Sequence, residues 1–285
     1  MTPAELSQML LCDEYLIIDI SPPGFTKLEP FIGGRSYTYR PKISQLRVKM
    51  NTQIHGTVSS WAAELVAEGE KAGAWERKDL SIISEGRLIG FAAQYSGITK
   101  VLDCAIFPRG RYWPTVVFEF GYCEPYEDLK EDVKLLLEGS AGKISKVVII
   151  KIMPLTTGQK ELQTGFVEIW HLIKGKATKD GDRKNLFPIP KSHKTQKLMM
   201  TLYDILRNQY NNRSNKSWKK DRVVALPFDP LRGYLKEATW RYLIQKNVIE
   251  NDGDESPSSS EDENKETTSE DENEESTSED SGGSG

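Results

Sequence analysis

The chain has 285 residues, 38% of them hydrophobic, and a formal net charge of −4, which suits one large domain or two small ones. It has no run of about 18 apolar residues to span a membrane, and its first residues, MTPAELSQMLL, lack the basic region and small-residue cleavage site of a signal peptide. Cys12, Cys104 and Cys123 are scattered with no C-x-x-C pair, which argues against a zinc site or disulfide frame and leads to the expectation of a reduced intracellular setting, nucleus or cytoplasm.

The charge is divided along the chain. Residues 251–285 carry 14 Asp or Glu and one basic residue, Lys265, whereas residues 1–250 hold 37 Lys or Arg against 28 Asp or Glu. The tail has no aromatic or aliphatic side chain, so disorder is expected there. Runs such as Ser258-Ser259-Ser260-Glu261-Asp262 suit acid-directed kinases. A basic body suits a polyanionic partner, although ordinary surface lysines give the same balance. The tail then either solubilises the chain or competes with nucleic acid for the body.

In chain order, Thr2-Pro3-Ala4-Glu5 predicts a short helix with a capping box. Tyr15–Ile20 (YLIIDI) reads as a strand, residues 21–42 as a Pro- and Gly-punctuated loop, and Leu46–Met50 (LRVKM) as a half-buried strand alternating apolar and basic positions. From Gly56 to about Lys71, Val58, Trp61, Ala62 and Leu65 form a helical stripe, with Glu64 and Glu68 one turn apart on a face that reads as solvated. His55 reads as a polar loop residue or a cap. Leu80–Phe91 predicts a hairpin or a long bent strand. Val101–Phe107 and Thr115–Tyr122 are strands joined by a turn with Arg109 and Arg111. Tyr126–Leu137 is an amphipathic helix, and Lys146–Ile152 (KVVIIKI) is a strand covered on both faces, parallel to the one before the helix. Phe166–Ile173 is a further strand. Helices are expected over about Lys197–Asn208 and from Asp229-Pro230 to about Gln245.

Alternation puts Val117, Glu119 and Gly121 on one strand face and Asp103 on the face of Val101 and Ala105. If these strands pair, Asp103 and Glu119 converge at one end of the sheet. Two carboxylates that close favour a hard divalent cation, which polarises a phosphodiester and activates water for in-line attack. A salt-bridged or solvent-facing strand acid satisfies the same spacing.

LDCAIFP, the basic turn, PTVVFEFGY, a helix bearing Asp128 and Asp132, and SKVVIIKI together resemble the PD-(D/E)XK nuclease-like superfamily, in particular uncharacterised fungal members and bacterial putative restriction endonucleases. LRVKMNTQIHG upstream and Phe187-Pro188-Ile189-Pro190 downstream extend the likeness over roughly 46–190. The resemblance implies a restriction-endonuclease-like core, an α/β (α+β) fold with a mixed central sheet flanked by helices, a C-terminal extension over 191–250 and a tail over 251–285. It implies Mg²⁺ (or Mn²⁺) held by Asp103 and Glu119, with Glu64 as an accessory acid, nucleic acid as partner with DNA ahead of RNA, and a homodimer as in many members.

The departure from the pattern is Gly121, where the superfamily wants a lysine to orient water and stabilise developing charge. Lys100, Lys130 and Lys134 are the candidate substitutes, with the space at Gly121 open to one reaching in. Lys130 and Lys134 also pair naturally with Glu127 and Glu131 on a solvated face. For nucleic acid itself the candidates are Arg109, Arg111 and the stretch RSNKSWKKDR, in which Lys216, Lys219 and Lys220 would meet phosphate and Trp218 stack on a base; a mobile basic loop is the alternative. Three function classes follow: a Mg²⁺-dependent nuclease with a relocated lysine, a binding module of the same fold that does not cleave, and an interaction protein acting through its acidic tail.

Overall fold

Strands of alternating and continuous apolar character, with two amphipathic helices between them, build a mixed α/β molecule in the computed structural model, which describes residues 2, 5, 15–50, 52–212 and 219–250. The acidic tail, Lys216 and Trp218 fall outside the described residues. Of the expected N-terminal helix only the capping box is described: Thr2 N donates to Glu5 Oε2 at 2.7 Å and Glu5 N to Thr2 Oγ1 at 3.2 Å.

The smaller sheet is antiparallel. Its strands β1 (Tyr15–Asp19), β2 (Tyr37–Arg40), β3 (Gln45–Lys49), β5 (Arg87–Leu88) and β6 (Thr99–Val101) lie in the order β1-β3-β2-β6-β5. The larger sheet contains β4 (Leu80–Ser84), β7 (Cys104–Pro108), β8 (Val116–Gly121), β9 (Lys146–Ile152), β10 (Gly165–Ile173), β11 (Lys176–Lys179) and β12 (Lys184–Phe187). Its order is β11-β10-β9-β8-β7-β4, with β12 also on β10. Within it β8 and β9 pair in parallel, Val116 opposite Lys146 through Gly121 opposite Lys151, because the helix between them carries the chain back to the same sheet end.

That helix, α3 (Tyr126–Gly139), covers one face: Leu129, Val133 and Leu136 pack on Val117, Val147 and Ile149. The other face belongs to α2 (Gln53–Lys71), whose Ile54, Val58, Trp61 and Leu65 meet Phe118, Phe120, Val148 and Ile150. Burying each such side chain contributes roughly 1.5–3 kcal/mol. The helix α5 (Phe228–Gln245) lies against α2, where Trp61 Nε1 donates to Pro227 O at 2.7 Å.

Four sequence expectations are corrected. Residues 21–42 are not a loop: Pro22–Ile32 is α1, capped by Ser21, with prolines in the first turn where their missing N–H costs nothing, and Phe25, Leu28 and Ile32 buried. Leu80–Phe91 is not a hairpin, since β4 joins the larger sheet and β5 the smaller; the chain crosses between them at Glu85, φ 59°. The strand expected over Val101–Phe107 is broken, and Asp103 sits in the break between β6 and β7. Lys197–Thr201 is β13 rather than helix and pairs with β14 (Val223–Pro227). Its Leu198 and Met200 are buried while Met199 is 49% exposed, a period of two, and helix α4 (Leu202–Leu206) starts only at the Thr201–Asp204 capping box.

Candidate active site

Glu119 projects from β8 towards α3, and Asp103 leaves the β6–β7 break just beyond the Cys104–Phe118 pair. Their carboxylates meet on one ammonium group that the sequence reading did not single out. Lys49 Nζ, at the end of β3, is 3.0 Å from Asp103 Oδ2, 3.0 Å from Glu119 Oε2 and 2.8 Å from Glu124 Oε2. Asp103 Oδ2 also accepts from Phe120 N at 2.7 Å. Lys100 Nζ joins from β6, 2.9 Å from Glu119 Oε2 and 2.6 Å from Asp132 Oδ2. Arg40 Nη2 stands 3.5 Å from Asp132 Oδ1, and Thr38 Oγ1 donates to Asp132 Oδ2 at 3.1 Å.

The cluster is buried: Glu119 and Lys100 are 0% exposed, and Lys49, Glu124 and Asp132 no more than 3%. Burial by itself raises each carboxyl pKa, and the outcome depends on what faces it. Asp103 is nevertheless held far below the usual carboxylate range by Lys49, Lys100, His55 and the Phe120 amide. Asp132 is lowered by Lys100, Lys49 and Arg40. At Glu119 and Glu124 burial wins: Glu119 is raised and Glu124 is pushed up to about 8. Burial works against Lys49 too, but Asp103, Glu119, Glu124 and Asp132 hold it well above its ordinary value. Four carboxyl groups thus crowd around two ammonium groups, and Glu119 and Glu124 are the two whose ionisation burial opposes most.

Sequence-predicted residues divide around this centre. Asp103, Glu119 and Lys100 come together. Lys130 does not: it pairs with Glu127 at 2.7 Å and lies over the Tyr126 ring, and Lys134 is exposed. Glu64 sits on α2 and accepts from Tyr234 of α5. The space at Gly121 is not open, since a Cβ there would stand 2.5 Å from Leu129 Cδ1 and 3.4 Å from Lys151 Cδ. Lys151 turns its ammonium to Tyr122 O and Ile152 O instead. Arg109 and Arg111 follow the far end of β7, six and eight residues from Asp103, which puts the turn roughly 20 Å away along the strand. Arg111 is lowered by burial and by Arg207 beside it. Lys219 and Lys220 are exposed ahead of β14.

Lys49 had a legible signal. Basic residues alternate with apolar ones in LRVKM because that face of β3 meets acids rather than water, Lys49 the buried cluster and Arg47 an acidic stripe on α3. Arg47 Nη1 lies 3.0 Å from both Asp128 Oδ1 and Glu131 Oε2, and Arg40 Nη1 lies 2.9 Å from Glu131 Oε2.

For a divalent metal, no group of three or more His, Cys, Asp or Glu side chains is arranged to hold one among the described residues. The buried oxygens Asp103 Oδ1 and Glu119 Oε1 have no hydrogen-bond partner there. These are the two oxygens that could take part in holding Mg²⁺, which is commonly bound by one or two carboxylates with water and phosphate oxygens completing its shell. Compared with protein-family models and with curated proteins, the chain matches none.

Proposed function

We propose that the chain is a Mg²⁺-dependent nuclease of PD-(D/E)XK type, hydrolysing phosphodiester bonds of nucleic acid, with Lys49 in the part that Gly121 leaves vacant. One observation carries the reading: Asp103 and Glu119 each lie 3.0 Å from Lys49 Nζ, so two acids and a lysine share one centre although the lysine comes from another strand. Asp103 Oδ1 and Glu119 Oε1 would hold the metal, which when bound supplies Lewis-acid polarisation of the phosphoryl group and a nucleophile at neutral pH. Lys49, its pKa raised by the surrounding carboxylates, keeps its proton near neutrality. Its part is therefore electrostatic, keeping both acids in place and countering the charge that develops on the phosphoryl oxygens. Lys100 neutralises Asp132 and the inner edge of Glu119. The excess of Lys and Arg over residues 1–250 favours a polyanionic substrate, with DNA ahead of RNA.

Burial of the same groups favours a second reading, a module of this fold that binds nucleic acid without cutting it. Incubation of the full chain with DNA and with RNA in Mg²⁺ separates the two. Cleavage by wild type that disappears in Glu119→Gln, with the circular dichroism spectrum retained, supports the nuclease. Binding without cleavage supports the second reading, and equal cleavage by both proteins overturns the first. Glu119→Gln leaves Lys49 with Asp103 and Glu124, and Lys100 with Asp132, so the variant is expected to fold.

A further inference from the structure

We propose that Arg111 and Arg207, beside the small cavity at the end of α4, form a binding site for a phosphate group. Residues 109–115, 142–146 and 203–209 converge there, at the Val116 end of β8, and none of them belongs to the acid–lysine cluster. Thr115 O accepts from Ser145 N at 2.7 Å, Thr115 Oγ1 donates to Ile205 O at 2.6 Å, and Gln209 Nε2 donates to Arg109 O at 2.6 Å. The cavity measures about 240 Å³ and is lined in part by Lys146, His171, Tyr203 and Arg207. That is below the roughly 300 Å³ at which sites for drug-sized ligands begin, and it suits a compact ion.

Uncompensated charge is the first sign of a ligand. Lys146 is engaged by Asp180 at 2.6 Å. Asp204 accepts from Ser145 Oγ at 2.9 Å and from Thr201 Oγ1 at 2.7 Å, and lies 3.8 Å from Lys146. Neither acid reaches the two arginines. Arg207 donates one N–H to Gly142 O at 2.9 Å and lies 5.4 Å from the Tyr203 ring centre. Arg111, partly buried, has no carboxylate on it among the described residues: Arg207 opposes its charge, and Tyr203 is the one neighbour that favours it. Adjoining guanidinium groups with no acid between them repel. A phosphate, whose oxygens accept paired N–H bonds from an arginine fork, would relieve both.

The backbone of Arg207 is the second sign. It holds φ 52° and ψ −138°, a conformation that favours glycine and that a residue with a side chain adopts only at a cost. Such strain persists where the side chain is wanted in that place, and the bond to Gly142 O occupies only one of five guanidinium N–H groups. Tyr203, 41% exposed, backs the guanidinium with its ring and leaves the remaining donors free for an anion.

Inorganic phosphate is the probe, titrated into the full chain by calorimetry against sodium chloride of equal ionic strength. Wild type is expected to bind one phosphate saturably. Arg111→Gln removes a charge with no acid to lose, so it is expected to bind about tenfold more weakly with no fall in the melting temperature of the free protein. Arg207→Gln is expected to weaken binding as much, and Lys27→Gln, which removes one charge from α1, to leave it unchanged. Absence of saturable binding overturns the site, as does affinity unchanged in both arginine variants. A loss as large in Lys27→Gln also overturns it, since net charge alone would then explain the binding. If Arg207→Gln does not fold, Arg111→Gln alone decides. Oligonucleotides with and without a 5′-phosphate, added as competitors, identify the source: displacement by the phosphorylated one only supports a phosphate monoester, displacement by both a phosphodiester backbone, and displacement by neither a free phosphate ion.

Discussion

At Glu124 the buried cluster has its clearest titratable signature. Burial pushes this carboxyl to about 8 against an ordinary value of 4.5, with Lys49 only partly offsetting it. A folded-state pKa above the unfolded one contributes stability that is full below the unfolded value and is lost as pH rises through the folded value. The fold is therefore expected to weaken between about pH 4.5 and 8 on account of this group. Asp103, lowered by Lys49 and its neighbours, contributes in the opposite sense, and that contribution disappears only in strong acid. Urea denaturation across this range should show the decline in wild type and a flatter profile in Glu124→Gln. A decline that persists in the variant would assign the proton to Glu119 instead.

The elements explain what a sequence reader recovers here and what is lost. A continuous apolar run identifies β9, short apolar runs bounded by turn residues identify β8, and the apolar stripe of α3 identifies its buried face, because each segment is covered by continuous packing on the sheet. Prolines at the start of α1 were misread because a proline in a first turn and a proline in a loop look alike until Phe25, Leu28 and Ile32 find their partners. Lys197–Thr201 was misread because Leu198 and Leu202 fit a helical repeat as well as the true alternation of Leu198 and Met200. Asp103, Glu119 and Lys100 are legible as chemistry, whereas the alternation in LRVKM shows a basic face on β3 but not that the end of β3 lies beside β8 and the β6–β7 break, where Lys49 meets Glu119 and Asp103. Gly121 belongs to this scale too, since its vacant side is filled by Leu129 from α3. Restoring the superfamily's lysine there, Gly121→Lys, is expected to destabilise the chain by about 1–3 kcal/mol through overpacking, read as a lower denaturation midpoint. Unchanged stability would mean that α3 yields easily.

For the molecule as a whole, charge acts on two levels. Within the fold, the smaller sheet is held to α3 by Arg40, Arg47 and Lys100 facing Asp128, Glu131 and Asp132, pairs that are mostly shielded from solvent and little screened by salt. Along the chain, a basic body over 1–250 is followed by 14 acidic residues and one lysine over 251–285. Truncation to residues 1–250 is therefore expected to raise DNA affinity at low ionic strength, with the gain shrinking as salt is added. Fluorescence anisotropy with a labelled oligonucleotide would measure both. A truncated chain that binds no more tightly would relieve the tail of any competing role.

The crowding of four carboxyl groups around two ammonium groups has a thermochemical consequence. Burial holds the Glu124 carboxyl up to about 8, so a divalent ion that binds in the cluster near neutrality is expected to release a proton to the buffer. Binding heats measured in phosphate and in Tris would then differ, because the two buffers absorb a proton with different enthalpies. Identical heats would mean that the ion enters without touching the cluster.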